Sequence, residues 1–502
     1  MIKIATVIIN GISVETACGT LLSELLAPTH TVEMPCGGRK SCGKCKVTAR
    51  GKLSPLSEAE KKHLSTTEIE SGIRLACCTT VEGDCEITTA AASGNAINTA
   101  GDLPEMEFSP AFTKYGAVID IGTTTLAARL YGTSGKMLAD TSELSPQRGF
   151  GADVISRIEA ALGGSEKELA RVTREAINGM IEIMAKKAGI VTSDIDGVVI
   201  TGNTVMLHFL TETSTEPLSH APFKAERLFG ETLSAKELSL TALLPETEIY
   251  LPPCAEAFVG ADITTAILYS EITKNTSPAI LVDIGTNGEM ALVKNGEMLL
   301  CSTAAGPAFE GAGLSMGMGA KDGAIHKVTV EDGEITASVL GGTAPIGICG
   351  SGVVDAVAAL LETEILDETG CLDDDEAVIS APVVLTQGDI RMIQLAKSAI
   401  HAGLRTLMKY AELECDDIST LYVAGGFGSY LDIENAGKIG LIPEELVSKV
   451  KVLGNAALAG ASMVLLNRDL RETCKSMLSN SSVIALSSNP IFTEEYMERM
   501  FF

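Results

Sequence analysis

One short pattern occurs twice in the chain, and this repeat constrains the possible fold more than any other feature. Residues 116–128 read as an apolar strand ending in an aspartate, a Gly-Thr turn and a returning strand, and residues 281–292 repeat that order. The backbone amides and hydroxyls of such a turn can bind phosphate oxygens, while the aspartate can hold Mg²⁺ through water. Two copies, about 160 residues apart, predict an internally duplicated domain whose halves face each other across a cleft.

Four further segments are typical of a nucleotide-binding cleft of this kind. Residues 198–204 read as a strand that enters a Gly-Asn-Thr turn, and residues 421–428 as a strand followed by a glycine turn. Residues 346–356 begin a helix whose N-terminus can meet a phosphate. Residues 453–461 open a helix of small residues, with Gly460 the glycine most suited to close helix packing. The order of these segments favours one extended ATP-binding domain.

The signatures of two other nucleotide-binding folds are missing from the sequence. No Gly-x4-Gly-Lys-Ser/Thr occurs, and Gly426-Phe-Gly428 lacks the third glycine of Gly-x-Gly-x-x-Gly. The duplicated turn is therefore the predicted phosphate site.

Cysteine spacing near the N-terminus predicts an iron–sulfur centre. Cys36, Cys42 and Cys45 are separated by five and then two residues, and a distant cysteine follows Arg-Leu-Ala at Cys77. Four cysteines in this layout are the ligand pattern of a [2Fe–2S] ferredoxin. The intervening glycines allow a tight loop that turns N–H groups toward the cluster sulfurs.

Zinc is the alternative for these cysteines. A zinc ribbon would require a second Cys-x2-Cys pair, whereas the distal part offers the adjacent Cys77 and Cys78 and then Cys85. Adjacent cysteines rarely bind one metal, so zinc is disfavoured and Cys77 is preferred to Cys78 as the fourth ligand. The thirteen cysteines do not suggest a disulfide framework, because their number is odd and Lys3 precedes too short an apolar run for a signal peptide.

Charge divides the chain into two parts. Residues 1–95 contain ten basic and ten acidic side chains, so the whole formal net charge of −27 falls in residues 96–502. This charge, with no Trp and 4% aromatic residues, argues against nucleic acid or an anionic membrane surface as the main partner. No apolar stretch is long enough to cross a bilayer, and we expect a cytoplasmic protein.

These observations predict two domains and a linker. We expect a ferredoxin-like domain at residues 1–92, a linker at 93–114 rich in small residues, and an ATPase domain at 115–502. The ATPase domain would contain lobe I (about 115–280), lobe II (about 281–450) and C-terminal helices (451–502).

Two known folds are similar to these parts. Residues 1–90 resemble [2Fe–2S] ferredoxins of the β-grasp fold, in the class of mixed α+β domains. The duplicated part resembles the actin-like α/β ATPase fold of actin, sugar kinases, acetate kinase and the seventy-kilodalton chaperones.

The chain as a whole resembles the reductive activators of corrinoid-dependent enzymes. The segments that carry this resemblance are Asp120-Ile-Gly-Thr-Thr-Thr, Gln147-Arg-Gly-Phe-Gly-Ala-Asp153, Asp283-Ile-Gly-Thr-Asn-Gly-Glu289, Ala304-Ala-Gly-Pro-Ala-Phe-Glu310 and Ala424-Gly-Gly-Phe-Gly428. Some members of that family have a separate small domain between linker and ATPase domain, for which this chain leaves no room.

The resemblance implies a role for each motif residue. Asp120 and Asp283 would position Mg²⁺ and the attacking water. The implied nucleotide-binding residues are Gly122, Thr123, Thr124, Gly202, Asn203, Gly285, Thr286, Asn287, Gly350, Ser351, Gly425 and Gly426. The implied [2Fe–2S] ligands are Cys36, Cys42, Cys45 and Cys77. The Gly- and Met-rich segment from Ser302 to Gly319 has no periodicity of a core, so we expect it in the cleft wall or facing the corrin.

The function implied by the family is ATP-dependent transfer of one electron from the [2Fe–2S] cluster to the Co(II) corrinoid of a methyltransferase protein, which regenerates Co(I). An upstream low-potential electron donor would reduce the cluster. The oligomeric state is open, and a homodimer is one alternative. One alternative is an activator of another low-potential enzyme, such as a 2-hydroxyacyl-CoA dehydratase. Two others are a small-molecule kinase with a redox appendage and a non-enzymatic ferredoxin on an actin-like assembly module.

Overall fold

The structure is a computed structural model that describes residues 3–26, 32, 34, 36–89, 103–426 and 431–502. It contains two compact units, one of Met1–Gly94 and Ser145–Thr173 and the other of Asn95–Leu144 and Arg174–Phe502. Within the described ranges, none of the helices combines the length and the apolar character needed to cross a membrane.

The first unit is built on a five-stranded mixed sheet. Its strands are β1 (Ile4–Ile9), β2 (Ile12–Ala17), β3 (Lys46–Leu53), β4 (Ile73–Leu75) and β5 (Val81–Thr88). They lie in the order β2-β1-β5-β3-β4, with β1 parallel to β5 and the other pairs antiparallel. Alternate residues of β1 and β5 are buried, as expected for a sheet covered on one face. This strand order confirms the predicted β-grasp arrangement.

The helices of the first unit are short. They are α1 (Leu22–Leu26), α2 (Glu58–His63), α3 (Thr66–Ser71) and α4 (Val154–Ala160), followed by the start of α5 (Glu166–Ala188). Ser57 and Ser65 begin α2 and α3 with capping boxes, which satisfy the first free N–H groups. The segment Ser145–Thr173, which lies within the predicted lobe I, belongs to this unit, where Arg39 forms an ion pair with Glu159.

The second unit contains two six-stranded sheets with the same core topology. The first has β6 (Tyr115–Ile121), β7 (Thr125–Gly132), β8 (Met137–Leu144), β9 (Ile195–Gly202), β10 (Glu231–Ser234) and β11 (Glu248–Leu251). The second has β12 (Ala279–Ile284), β13 (Gly288–Lys294), β14 (Glu297–Thr303), β20 (Thr420–Ala424), β21 (Val450–Gly454) and β22 (Ser481–Val483).

The strand orders show the duplication. The first sheet runs β10-β11-β9-β6-β7-β8 and the second β21-β20-β12-β13-β14-β22. In each, three antiparallel strands form a meander, and a later strand pairs in parallel with the first strand of that meander. The predicted internal duplication is therefore confirmed.

Helices and two small sheets complete the second unit. Its remaining strands are β15 (Ala324–Glu331), β16 (Glu334–Val339), β17 (Gly347–Ile348), β18 (Glu376–Ser380) and β19 (Val383–Thr386). Its remaining helices are α6 (Thr204–Thr211), α7 (Ala261–Ser270), α8 (Gly350–Glu362), α9 (Gln387–Tyr410), α10 (Ile433–Lys438), α11 (Ala456–Leu466), α12 (Leu470–Ser479) and α13 (Pro490–Glu498).

Helices α7 and α11 follow corresponding strands of the two sheets and pack against each other. A Cβ atom at Gly460 would lie 1.8 Å from the carbonyl oxygen of Thr265, so no larger residue fits there. The small-residue helix thus serves the close packing expected of it, and it brings the two halves together beside the cleft.

Candidate functional site

A cavity of about 230 Å³ lies between the two halves of the second unit. All the predicted catalytic and nucleotide-binding residues line this cavity except Gly202. They are Asp120, Gly122, Thr123, Thr124, Asn203, Asp283, Gly285, Thr286, Asn287, Gly350, Ser351, Gly425 and Gly426. Residues that are distant in the sequence therefore converge on one cleft.

The two aspartates occupy equivalent positions at the ends of β6 and β12. Asp120 lies beside Thr201 of the parallel strand β9, and Asp283 lies beside Ala424 of the parallel strand β20. In an α/β sheet, ligands bind outside the carboxyl ends of parallel strands. The duplication thus places both carboxylates and both Gly-Thr turns at the mouth of the cleft.

Thr201 and Ala424 are each followed by a glycine, which permits a close approach of the backbone. A Cβ atom would lie 2.7 Å from the Ile121 carbonyl oxygen at Gly202 and 2.4 Å from the Ile284 carbonyl oxygen at Gly425. Gly425 also has a φ of 105°, which side chains rarely tolerate. Gly202 therefore shapes the site through its backbone, although it does not line the cavity.

A polar side chain contacts the first Gly-Thr turn, and a helix start lies at the cavity. Asn203 caps α6 by accepting a hydrogen bond from the Met206 N–H at 3.0 Å, and its Nδ2 donates to Thr123 Oγ1 at 3.1 Å. The N-terminus of α8, at Gly350 and Ser351, also lines the cavity. Its free N–H groups are suited to an anion.

Sequence reasoning missed three polar residues of the cleft. Asp262 in the first turn of α7, Glu289 in β13 and Asn455 before α11 all line the cavity. Asn455 Nδ2 donates to Asp120 Oδ2 at 3.3 Å, and Glu289 Oε2 accepts from the Gly260 N–H at 3.1 Å. Glu289 stands inside the second copy of the repeat and Asn455 inside the segment 453–461, which was the available signal. No sequence pattern marks Asp262.

The crowding of carboxylates changes their proton affinity. Burial raises the pKa of Asp120 to about 7, and the charge of Asp262 adds to this effect. Burial raises the pKa of Asp283 to about 8, and the charges of Asp262, Asp120 and Glu310 add to this effect. Burial also raises the pKa of Asp262 to about 6. A divalent cation would relieve this repulsion and return the carboxylates to their charged form.

The donor set of the cleft fits Mg²⁺ bound mainly by nucleotide and water. Across the described ranges, no three acidic, His or Cys side chains converge in the geometry of a complete metal site. Mg²⁺ commonly takes one or two carboxylates, substrate phosphates and waters rather than a full protein cage. The two symmetric aspartates are compatible with that mode.

The segment from Ser302 to Gly319 contributes to the cleft wall through Phe309, Glu310 and Gly319. Ser315 lies outside the cavity lining, is exposed, and donates its N–H to Asp389 Oδ1 at 2.7 Å. The expected position in the cleft wall therefore holds for part of this segment.

In the first unit, the four predicted cysteine ligands form two close pairs. The Sγ atoms of Cys45 and Cys77 lie 3.3 Å apart, and the thiols of Cys36 and Cys42 share a hydrogen bond. The hydrogen bond from Cys77 lowers the pKa of Cys45 to about 7. A [2Fe–2S] cluster has two irons, each of which takes two protein ligands, so two pairs of thiols fit this group.

The loop that carries three of these cysteines contains glycines with positive φ values. Gly37, Gly38 and Gly43 have φ values of 57°, 81° and 65°, in the left-handed region that favours glycine. A Cβ atom at Gly43 would also lie 2.7 Å from the Cβ of His63. The glycines thus permit the tight loop around the cysteine pairs.

A buried carboxylate positions the turn that contains Cys77. Glu60 is fully buried and accepts hydrogen bonds from Arg74 Nε at 2.8 Å, the Leu75 N–H at 3.2 Å and Thr79 Oγ1 at 2.9 Å. Burial opposes its ionisation, yet these donors hold the pKa of Glu60 at about 2. Glu60 therefore holds residues on both sides of Cys77.

Family models match most of the second unit. One described as the C-terminal domain of RACo, the ASKHA domain, matches residues 277–502, and one described as the RACo middle region matches residues 115–275. The middle-region match covers the residues that we predicted as lobe I, about 115–280.

Three known proteins are similar over most of the chain. The corrinoid activation enzyme RamQ of Eubacterium limosum is 36% identical over 419 residues, which cover 77% of this chain and 70% of that protein. The [Co(II) methylated amine-specific corrinoid protein] reductase of Methanosarcina barkeri is 26% identical over 409 residues, or 74% of each chain. The solved structure of a reductive activator for corrinoid, iron–sulfur protein is 27% identical, with a TM-score of 0.73 over 99% of this chain and 98% of that one.

These matches agree with the cysteine pairs, the duplicated phosphate turns and the paired aspartates. The chain belongs to the RACo family of reductive activators of corrinoid proteins, whose ATPase domain has the actin-like fold.

Proposed function

We propose that this protein uses ATP to drive one electron from a [2Fe–2S] cluster to the Co(II) corrinoid of a methyltransferase corrinoid protein, regenerating Co(I). The observation that carries the proposal is that a single chain holds two paired sets of ferredoxin-type cysteines and a duplicated phosphate cleft. Similarity to a corrinoid activation enzyme and to a Co(II) corrinoid protein reductase supports cobalt as the acceptor.

Reduction potentials give a reason for joining a cluster-binding domain to an ATPase domain. A plant-type [2Fe–2S] centre has a potential near −400 mV. Each 59 mV by which the acceptor lies lower multiplies the equilibrium against a one-electron transfer about tenfold. Coupling ATP to assembly or dissociation of the protein complex can offset such a gap. The phosphoryl acceptor is then water.

In this proposal each residue of the two sites has a defined role. Cys36, Cys42, Cys45 and Cys77 would hold the cluster, which when bound supplies one-electron reduction. Asp120 and Asp283 would hold Mg²⁺ and orient the attacking water through their charged carboxylates. The Gly-Thr turns bind the phosphates, and the Gly425 turn approaches the nucleoside.

The charge distribution also limits the partner. Because the net charge of −27 falls in residues 96–502, the surface that meets the ATPase part should be basic or neutral. Neither nucleic acid nor an anionic membrane is proposed as a partner, and an upstream low-potential donor is proposed to reduce the cluster. If a basic partner surface meets the acidic ATPase part, added salt should weaken the association of the two proteins.

Release of inorganic phosphate tests the ATPase part of the proposal. Two substrates follow from the relatives' names, namely the corrinoid protein of a methylated-amine system and a corrinoid iron–sulfur protein. We expect all γ-phosphate to appear as inorganic phosphate, at a rate that rises with one of these proteins in its Co(II) form and not in its methylated form. Transfer of the phosphate to a sugar or carboxylate would instead identify a small-molecule kinase.

A further inference from the structure

One carboxylate joins the two phosphate turns. Glu310 Oε1 accepts a hydrogen bond from the Thr286 N–H at 3.0 Å, and its Oε2 accepts from Thr286 Oγ1 at 2.9 Å and from Thr124 Oγ1. The two threonine hydroxyls lie 2.9 Å apart. Glu310 therefore bridges the turn after β6 and the turn after β12, which belong to opposite halves of the duplication.

The donors that hold Glu310 are the donors that the proposed function assigns to phosphate. A carboxylate and a phosphate both present anionic oxygens to N–H and O–H groups, and one set of donors cannot serve both at full strength. The carboxylate and a phosphate bound to the same donors would also repel each other, because both are negatively charged. A phosphate that takes these donors must therefore displace the carboxylate.

We infer that Glu310 is a latch between the two halves, which the phosphates of ATP release. This inference rests on the proposed binding of ATP in the cleft and adds the residue through which binding is sensed. Release of the latch moves the loop between Thr303, the end of β14, and Ala324, the start of β15.

A glycine with a positive φ lies on each side of the helical turn that contains Glu310. Glu310 ends a single helical turn, Ala308–Glu310, flanked by Gly306 with a φ of 79° and Gly311 with a φ of 74°. The Gly306 N–H donates to the Thr286 carbonyl oxygen at 2.8 Å, which ties this side of the loop to the second phosphate turn. Glycines in such positions can absorb the backbone changes of a moving loop.

The far side of the same loop reaches the surface. Ser315 is exposed, and its N–H bond to Asp389 anchors the loop to the start of α9. Met316 and Met318 exchange backbone hydrogen bonds of 2.9 Å with Ile348 of β17. A shift of Glu310 is thus transmitted from the phosphate site to a surface available to a partner protein.

Nucleotide affinity of two variants tests the latch. We would titrate the wild-type chain, Glu310→Gln and Glu310→Ala with Mg²⁺ and a non-hydrolysable ATP analogue by calorimetry. Removing the competing charge should tighten binding about tenfold, or about 1.4 kcal/mol. The matched control is Glu334→Gln, which removes one charge from an exposed position of β16 and should leave the affinity unchanged.

Hydrogen exchange supplies a second readout. In the wild type, the analogue should speed exchange of amides 306–318, whereas Glu310→Ala should exchange at the fast rate without it. Equal or weaker binding by both variants would overturn the latch and make Glu310 a ligand of the nucleotide or its Mg²⁺. If the wild type itself bound no ATP analogue, the proposed ATP site would fail, and the latch with it.

Discussion

Asp283→Asn is expected to lower ATP hydrolysis at least about 100-fold and, at pH 8, to raise the stability of the protein. The loss of activity follows from removal of a carboxylate that we propose to orient Mg²⁺ and water, since general-base groups commonly contribute factors of about 100 or more. The gain in stability follows from the cost of crowding this carboxylate against Asp262, Asp120 and Glu310 in the cleft.

The sign of the pH dependence follows from the direction of the shift. The folded-state pKa of Asp283 is about 8, against 3.8 for the ordinary group. Between these values the native state holds a proton that the unfolded chain has lost, so stability falls as pH rises from about 4 to about 8. Asparagine does not titrate. We therefore expect a stabilisation of several kcal/mol at pH 8 and almost none at pH 4.

Calorimetry is suited to this comparison, because the chain contains no Trp for fluorescence. Asp120→Asn should behave in the same way, with a smaller stabilisation because its pKa is raised only to about 7. Asp374→Asn, in an exposed loop, is the matched control and should change neither property. Retained ATPase activity in Asp283→Asn, or a loss of stability at pH 8, would contradict these roles.

Replacement of adjacent cysteines should give opposite results. Cys77→Ser is expected to abolish the visible absorption and the reduced-state electron paramagnetic resonance signal of the cluster, whereas Cys78→Ser should keep both. The reason is that Cys77 Sγ lies 3.3 Å from Cys45 Sγ and completes a pair, while Cys78 Sγ lies 3.7 Å from Cys77 Sγ and belongs to neither of the two pairs.

Both thiols are buried, so burial alone does not separate the two variants. Iron and sulfide analysis of the purified proteins, with far-ultraviolet circular dichroism as a check on folding, gives the cluster content directly. A folded Cys77→Ser protein with a full cluster, or loss of the cluster in Cys78→Ser, would move the fourth ligand to Cys78.

The sequence was most informative where a motif determines both a local conformation and a contact. Two copies of the Asp-Ile-Gly-Thr turn predicted the duplication, and both aspartates end equivalent strands. The glycines around Cys36 and Cys45 predicted a tight loop, and three of them have positive φ values in the structure. In these cases neighbouring residues fix the geometry, so the pattern is visible in one sequence.

Other features depend on contacts that no local pattern records. Asp262 reaches the cleft because α7 packs against α11, far away in the sequence. The segment Ser145–Thr173 follows β8 directly, which led us to assign it to lobe I, yet its contacts place it with the first 94 residues. Glu310 could be assigned to the cleft wall, but its bridge between Thr124 and Thr286 depends on both halves being folded.

An anaerobic assay of cobalt reduction tests most directly whether the cluster and the ATPase cleft act together. The chemically reduced full-length protein is mixed with a Co(II) corrinoid protein of either proposed type, and the Co(I) absorbance is followed with and without MgATP. We predict Co(I) with MgATP, little Co(I) without MgATP, and none with Cys77→Ser. Equal Co(I) with and without MgATP, or no Co(I) with either corrinoid protein while the cluster is intact, would contradict ATP-driven reduction of the corrinoid.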